Sequence, residues 1–382
     1  MGACPVRVFL THPGASLYGS DRMLLESLRG MIEAGMDPVV VLPEEGPLAT
    51  RAREWGVRVL LRPMPVLRKS ALSPWGVPRL VTVAAAAAVR DIALLTRSRP
   101  DVVYVSTLTT PTWVLLPRLL GIPVVCHVHE AESTAARWVQ RALSAPLLAA
   151  NRILVNSEHS RAVLLRSWPD MHLRTDVVRN GVPGPTSAAA PRRAEGGGRF
   201  RLLFVGRLSE RKGVLVALDA FEAALVAGLD AHLDVVGDTF VEHVGFARLL
   251  QHRLRDEVFQ GRVTVHGFAT DVWGHLAECD VLLVPSVLPE PFGNTAVEGA
   301  LAGRPVIASD TGGLPEALRG IDSARLVPPG DAGALARAVL EVAADRATLV
   351  ASAVAAAPAA AARYAPRRYR DRVAASVTAV LR

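Results

Sequence analysis

With 382 residues, half of them hydrophobic, 5% aromatic and 21% charged, the chain is too long for one ordinary core and too apolar to be disordered. Its net charge of +7 is uneven: residues 1–186 carry +7, residues 199–362 carry −6 and residues 363–382 carry +5. That asymmetry points to an anionic partner for one half, while sparse aromatics and the lack of a recognition helix argue against nucleic acid.

Short apolar runs alternate with helix-length stretches, the pattern of parallel sheets with crossover helices. Strands are predicted at 6–10, 38–42, 57–61, 102–105, 123–128, 152–156 and 176–179. Each is almost continuously apolar, as a strand buried on both faces should be. Helices are predicted over 21–33, 78–98 and 135–149. No basic leader precedes the first run, so a secretion signal is not expected. The longest apolar stretch, 80–95, contains Arg90 and Asp91 and is too short for a bilayer. A stretch rich in Pro, Gly, Ser and Ala at 184–198 reads as a linker. Strands then resume at 200–205, 232–236, 263–266, 281–285, 305–308 and 325–327, and the chain ends in Ala-rich and then basic helical sequence. The fold class is therefore α/β, with Rossmann-like doubly wound domains over 1–183 and 199–363 and a ligand in the cleft at the carboxyl ends of their strands. The scattered Cys4, Cys126 and Cys279 lack metal-ligand spacing, which suits free thiols in a reducing cytoplasm.

The loops carry the chemistry. Lysine occurs only at Lys69 and Lys212, so a lysine in the glycine-flanked loop Phe204-Val-Gly-Arg-Leu-Ser-Glu-Arg-Lys-Gly213 calls for a chemical reason. Arg207 and Lys212 at the mouth of a helix could hold a diphosphate, the arginine as a fork and the lysine as a movable charge; a solvated loop is the plain alternative. Further on, Glu290 lies between two prolines beside Phe292-Gly293, and Glu298 follows in the next helix. Thr295-Ala-Val-Glu298 also fits a capping box, which would leave Glu298 only a helix-end role. Gly293, Asn294 and Thr295 could present backbone N–H groups to a phosphate. His127 and His129 in Val-Cys-His-Val-His share a strand face, and either could reach a ligand.

The Glu290–Glu298 segment, with Gly-Arg-Leu-Ser-Glu-Arg-Lys-Gly upstream, resembles family 4 of the retaining GT-B glycosyltransferases. The similarity spans essentially the whole chain and includes Gly19-Ser20, Asn180-Gly-Val182, Val235-Val-Gly-Asp238, His266-Gly-Phe268 and Thr311-Gly-Gly-Leu-Pro-Glu316. It implies a hexose-type sugar taken from a UDP-, GDP- or dTDP-sugar, with no cofactor and no metal. Arg207 and Lys212 would neutralise the diphosphate, Glu290 would bind sugar hydroxyls and Glu298 the ribose. Gly206, Gly237 and Gly267 would lie near phosphate and base, Phe292, Gly293, Asn294 and Thr295 would line the donor, and Gly19-Ser20 would bring N–H groups from the front domain. Ser20 or Asp21 could equally cap the following helix. His129 is the family's expected histidine beside the sugar. The final helix, 364–382, would pack back on the front domain. No Asp-x-Asp metal-diphosphate motif is present. An epimerase, a hydrolase or phosphorylase on the same architecture, and an inactive nucleotide binder are the competing classes.

Between Arg51 and Arg99 stand ten basic residues against Glu54 and Asp91, with Met64, Val66, Leu67, Leu72, Trp75 and Val77 among them. This suggests a face resting on anionic cytoplasmic membrane and a lipid-linked acceptor, as in polysaccharide or glycolipid assembly. A solvated arginine surface, with a soluble small-molecule acceptor, is the alternative.

Overall fold

The computed structural model describes residues 4–17, 19–66, 76–185, 198–239 and 244–381. The chain divides into two compact units, Met1–Gly181 with Ala365–Arg382, and Val182–Tyr364. The first holds a seven-stranded sheet: β1 (Arg7–Thr11), β2 (Asp37–Leu42), β3 (Arg58–Leu61), β4 (Val102–Val105), β5 (Val124–Val128), β6 (Arg152–Val155) and β7 (Thr175–Val177), in spatial order 3-2-1-4-5-6-7. The second holds six strands: β8 (Phe200–Val205), β9 (Ala231–Val236), β10 (Val263–Gly267), β11 (Val281–Val284), β12 (Val306–Ser309) and β13 (Arg325–Val327), in order 10-9-8-11-12-13. Every pairing is parallel.

Burial on both faces explains the unbroken apolar runs. In β1, Val8 and Leu10 join a core with Met23, Leu24 and Leu28, while Phe9 joins another with Val103 and Trp113. The second sheet is covered in the same way, Leu202 and Phe204 on one side and Leu203 on the other. Strand order reverses between β1 and β4 and again between β8 and β11. At such points the loops from neighbouring strands run to opposite faces and leave a crevice.

The predicted helix over 135–149 is two pieces, a helix at Arg137–Ser144 and a 3-10 segment at Ala145–Ala149. Pro146 has no N–H to continue the α-helical ladder, which accounts for the break. Most of the expected linker, residues 186–197, lies outside the described residues, as do Leu67, Arg68, Lys69, Leu72 and Trp75. Met64 is not an exposed apolar residue but packs, partly buried, on the core around Phe9 and Val103. Arg51 and Arg53 pair with Glu54 and Glu45, so the basic face carries less open charge than its residue count implies.

The last helix, Pro366–Ala379, packs on the first, Gly19–Glu33. Gly30 permits the approach: a Cβ there would lie 2.8 Å from that of Arg370. Arg370 forms ion pairs with Glu26 and Glu33, while Tyr369, Val373 and Val377 are buried in the first unit's core. Cys126 and Cys279 are buried free thiols and Cys4 is an exposed one. Among the described residues, no helix is long and apolar enough to cross a membrane.

Candidate functional site

In the second unit the loops after β8 and β11 meet at the point of strand reversal. The chain leaves β8 through Gly206, whose N–H donates to Val236 O, passes exposed Arg207 and turns through Glu210–Lys212. Gly213, at φ 73°, caps the Val214–Val226 helix. A Cβ on Gly213 would stand 1.9 Å from Pro285 O, so only glycine lets this loop press on the end of β11. Arg211 reinforces the contact, its carbonyl accepting from Val287 N–H at 2.9 Å and its guanidinium donating to Pro289 O at 2.8 Å.

The consequence is an ion pair that sequence reasoning missed. Lys212 Nζ donates to Glu290 Oε1 at 2.6 Å, and Ser286 Oγ donates to the same oxygen at 2.7 Å. The Glu290 side chain is 9% exposed and that of Lys212 is 29% exposed. Burial alone would raise the Glu290 carboxyl, but Lys212, Ser286 and Arg211 outweigh it and hold it below its ordinary value. The expected phosphate cation and the expected sugar-binding carboxylate therefore satisfy each other here. Gly312 and Gly313 hold the carboxylate's own peptide: Gly313 N–H donates to Glu290 O at 2.7 Å, and a Cβ on Gly312 would fall 2.3 Å from that oxygen. The adjacent glycines were the only sign of this clamp in the sequence.

The capping-box alternative for Glu298 is excluded by where the helix starts. Gly293, at φ 109°, is the N-cap of the Asn294–Leu301 helix, with no side-chain cap, so Thr295 already lies inside it. Glu298 sits beyond the first turn and is buried. Asn294 and Thr295 are half-buried in that turn, whereas Phe292 is buried edge-on against Tyr364, 5.7 Å between ring centroids. Phe292 thus braces the loop from the core side. Gly206, Gly237 and Gly267 come together at the ends of β8, β9 and β10. Gly237 N–H donates to Gly267 O at 2.8 Å, and a Cβ on Gly237 would lie 1.8 Å from Gly206 O.

In the first unit, Gly19 and Ser20 open the Gly19–Glu33 helix. Both Ser20 and Asp21 lie within its first turn, and the Asp21 carboxylate bonds His12 Nε2 at 2.6 Å, a structural use that the capping alternative did not foresee. At the end of β5, His127 is wholly buried and His129 half-buried, their rings 4.2 Å apart. Burial pushes His127 down to about 3; burial, then His127 and His12, push His129 well below its ordinary value. Glu130 accepts from Thr107 Oγ1 and from His129 N–H, and burial raises its carboxyl.

A family model described as Glycosyltransferase Family 4 matches residues 18–183, and one described as Glycosyl transferases group 1 matches residues 199–345. A 2-deoxystreptamine glucosyltransferase of Streptomyces kanamyceticus is 30% identical over 322 residues, covering 77% of this chain and 81% of that protein. The chain belongs to the family 4 glycosyltransferases of GT-B fold. A glycogen synthase of Mycobacterium tuberculosis is 31% identical over 258 residues, 64% of this transferase and 60% of that protein, so the match spans less than two thirds of that relative. In fold the transferase resembles Anabaena Alr3699/HepE, solved with UDP and glucose, at a TM-score of 0.80 and 20% identity, covering 98% and 99% of the two chains.

Of the residues expected to act, the transferase brings Lys212, Glu290, Gly293, Asn294 and Thr295 to one side of the β8/β11 reversal, and Gly206, Gly237 and Gly267 beside it. His129, Gly19 and Ser20 belong to the first unit. Among the described residues, no group of three or more His, Cys, Asp or Glu is arranged to hold a metal ion.

Proposed function

We propose that this transferase moves a hexose-type sugar, with retention, from a nucleotide diphosphate donor to an acceptor hydroxyl in polysaccharide or glycolipid assembly. The observation that carries the proposal is the Lys212–Glu290 pair beside the first turn of the Asn294–Leu301 helix at a strand-order reversal. A diphosphate arriving there competes with Glu290 for Lys212. The freed carboxylate then accepts from sugar hydroxyls, and Arg207 and the helix N-terminus add positive charge for the leaving group. That charge serves in place of a metal. The departing phosphate takes up the acceptor proton on the same face, which preserves the anomeric configuration. Glu298 holds the ribose, Gly237 and Gly267 flank the base, and His129 and the N–H groups of Gly19-Ser20 also bind the donor. Support for a uridine donor comes from the Anabaena neighbour, solved with UDP and glucose.

Purified protein offered UDP-, GDP- and dTDP-sugars is expected to release free nucleotide from one of them and to do so equally after chelation. Activity that requires added magnesium would overturn the metal-free mechanism, and no turnover of any nucleotide sugar would overturn the proposal itself.

The two glutamates separate by calorimetry. Glu298→Gln is expected to weaken binding of free nucleotide about tenfold, the loss of a charged hydrogen-bond acceptor. Glu290→Gln is expected to raise affinity for the nucleotide diphosphate, because Lys212 no longer has a competing carboxylate, while lowering transfer. Equal affinities for nucleotide in wild type and Glu298→Gln would remove the ribose role.

The acceptor is lipid-linked, reached from a cytoplasmic membrane surface by the basic front unit. Arg58, Arg62, Arg90, Arg97 and Arg99 belong to that unit with Arg68, Lys69 and Arg79, each worth roughly 1 kcal/mol at an anionic surface. Sedimentation with vesicles should require acidic lipid, weaken with salt and fall when Arg62, Arg68 and Lys69 become Glu. Indifference to vesicle charge would favour the second reading, a soluble acceptor, for which the Streptomyces relative speaks through its 2-deoxystreptamine substrate and its coverage.

A further inference from the structure

Beneath His129 lies a buried hydrogen-bonded chain that no part of the proposed reaction uses. His127 Nδ1 and Tyr104 Oη are 2.6 Å apart, Tyr104 Oη and Ser27 Oγ 3.0 Å, Ser27 Oγ and Tyr369 Oη 2.7 Å, and Ser27 Oγ donates to Met23 O at 2.9 Å. Each of these contacts needs one proton. The three hydroxyls of Ser27, Tyr104 and Tyr369 supply three, and the carbonyl supplies none. Longer approaches of Tyr369 Oη, 3.2 Å to Met23 O and 3.4 Å to His127 Nδ1, add no donor. With a proton in each of the four contacts of 3.0 Å or less, the fourth comes from the imidazole.

We infer that Tyr104, linked through Ser27 to Tyr369 of the terminal helix, holds His127 as the Nδ1–H tautomer and is thereby a positioning residue for His129. The order of donation is then fixed. His127 Nδ1–H donates to Tyr104, Tyr104 and Tyr369 both donate to Ser27, and Ser27 donates to the Met23 carbonyl. His127 Nε2 is left bare, and among the described residues it has no hydrogen-bond partner. A buried acceptor without a partner is better tolerated than a buried N–H without one, so the opposite tautomer would force the ring to turn. His127 cannot turn alone: Tyr369 stacks on it, ring centroids 5.8 Å apart, and the His129 ring lies tilted against it at 4.2 Å. Burial keeps His127 neutral, with one ring proton to assign, and keeps both phenols protonated.

The role of His129 itself rests on the function proposed above, so two readouts are needed. The first is nitrogen NMR of the full-length protein labelled at histidine, with His127 assigned by its loss in His127→Gln. The wild type is expected to show a protonated Nδ1 and a bare Nε2. Tyr369→Phe removes one contact and one proton together and is expected to keep that tautomer. Tyr104→Phe removes the acceptor of Nδ1–H and is expected to release it. A bare Nδ1 in the wild type, or the same tautomer change in both variants, overturns the assignment. The second readout is kinetic. Tyr104→Phe should lower kcat on the order of tenfold with KM little changed, the effect of a displaced group in the site. In a His129→Ala background the same substitution should have no effect. An equal loss in both backgrounds overturns the positioning role and makes the chain merely structural. Full activity of His129→Ala would instead remove His129 from the reaction, and positioning with it, while the NMR result still decides the tautomer.

Discussion

Replacing Lys212 by alanine is expected to lower turnover by about a hundredfold or more, the usual effect of removing one preorganised donor from developing negative charge. The same change injures the fold. Glu290 would remain buried with Ser286 as its principal partner, and stranding one member of a buried pair costs about 3–5 kcal/mol, toward the lower end here because Lys212 is partly solvated. The two losses come apart in the double variant Lys212→Ala/Glu290→Gln, which should regain melting temperature and remain inactive. Recovery of turnover along with stability would reassign Lys212 to structure alone. There is also a signature in pH. The wild-type carboxyl is held below its ordinary value, so the pair's contribution is present above that value and is lost as pH falls through the depressed one. Lys212→Ala removes the cation that depresses the carboxyl and leaves the burial that raises it, so the variant's stability deficit against wild type should be largest near neutral pH and shrink as pH falls.

Gly213→Ala is expected to be the most damaging single-carbon addition in the loop. The backbone there has φ 73°, and the new Cβ would stand 1.9 Å from a carbonyl oxygen that belongs to a buried strand end. Strain and overpacking together cost roughly 3–5 kcal/mol, a fall in Tm of roughly 10 °C for a unit of this size. Gly228→Ala is the control, because φ is 93° there and nothing lies within 4 Å of the added atom. It should cost only about 1 kcal/mol. If the two variants melt together, backbone conformation rather than the contact with Pro285 is what Gly213 supplies. If Gly213→Ala melts early, relief should follow only from changes that move the β11 end.

Both sheets were legible because strands buried on two faces leave continuous apolar runs, and β4, β8 and β13 begin and end as the sequence predicts. Lys212 stood out by the rarity of lysine, and Glu290 by the prolines around it. Their pairing did not, because it joins residues 78 positions apart and depends on β8 lying beside β11. Hydrophobic periodicity identifies strands without giving their order. Glu298 was open to a capping interpretation because Thr295 matched the local pattern, whereas a glycine at positive φ two residues earlier starts the helix. The chain from His127 to Tyr369 was out of reach for the same reason as the ion pair, since Ser27 and Tyr369 are 342 positions apart.

That separation bears on the order in which the molecule is made. Residues Val182–Tyr364 form one continuous segment and can complete their core without residues from elsewhere in the chain. The unit that leaves the ribosome first cannot. Its first helix must wait, with Ser27, Leu28 and Met31 uncovered on one side, until Tyr369, Val373 and Val377 arrive, after the whole of the second unit. During that interval the earlier half presents an uncovered apolar stripe, and it is this half, rather than the later one, whose yield will depend on chaperones.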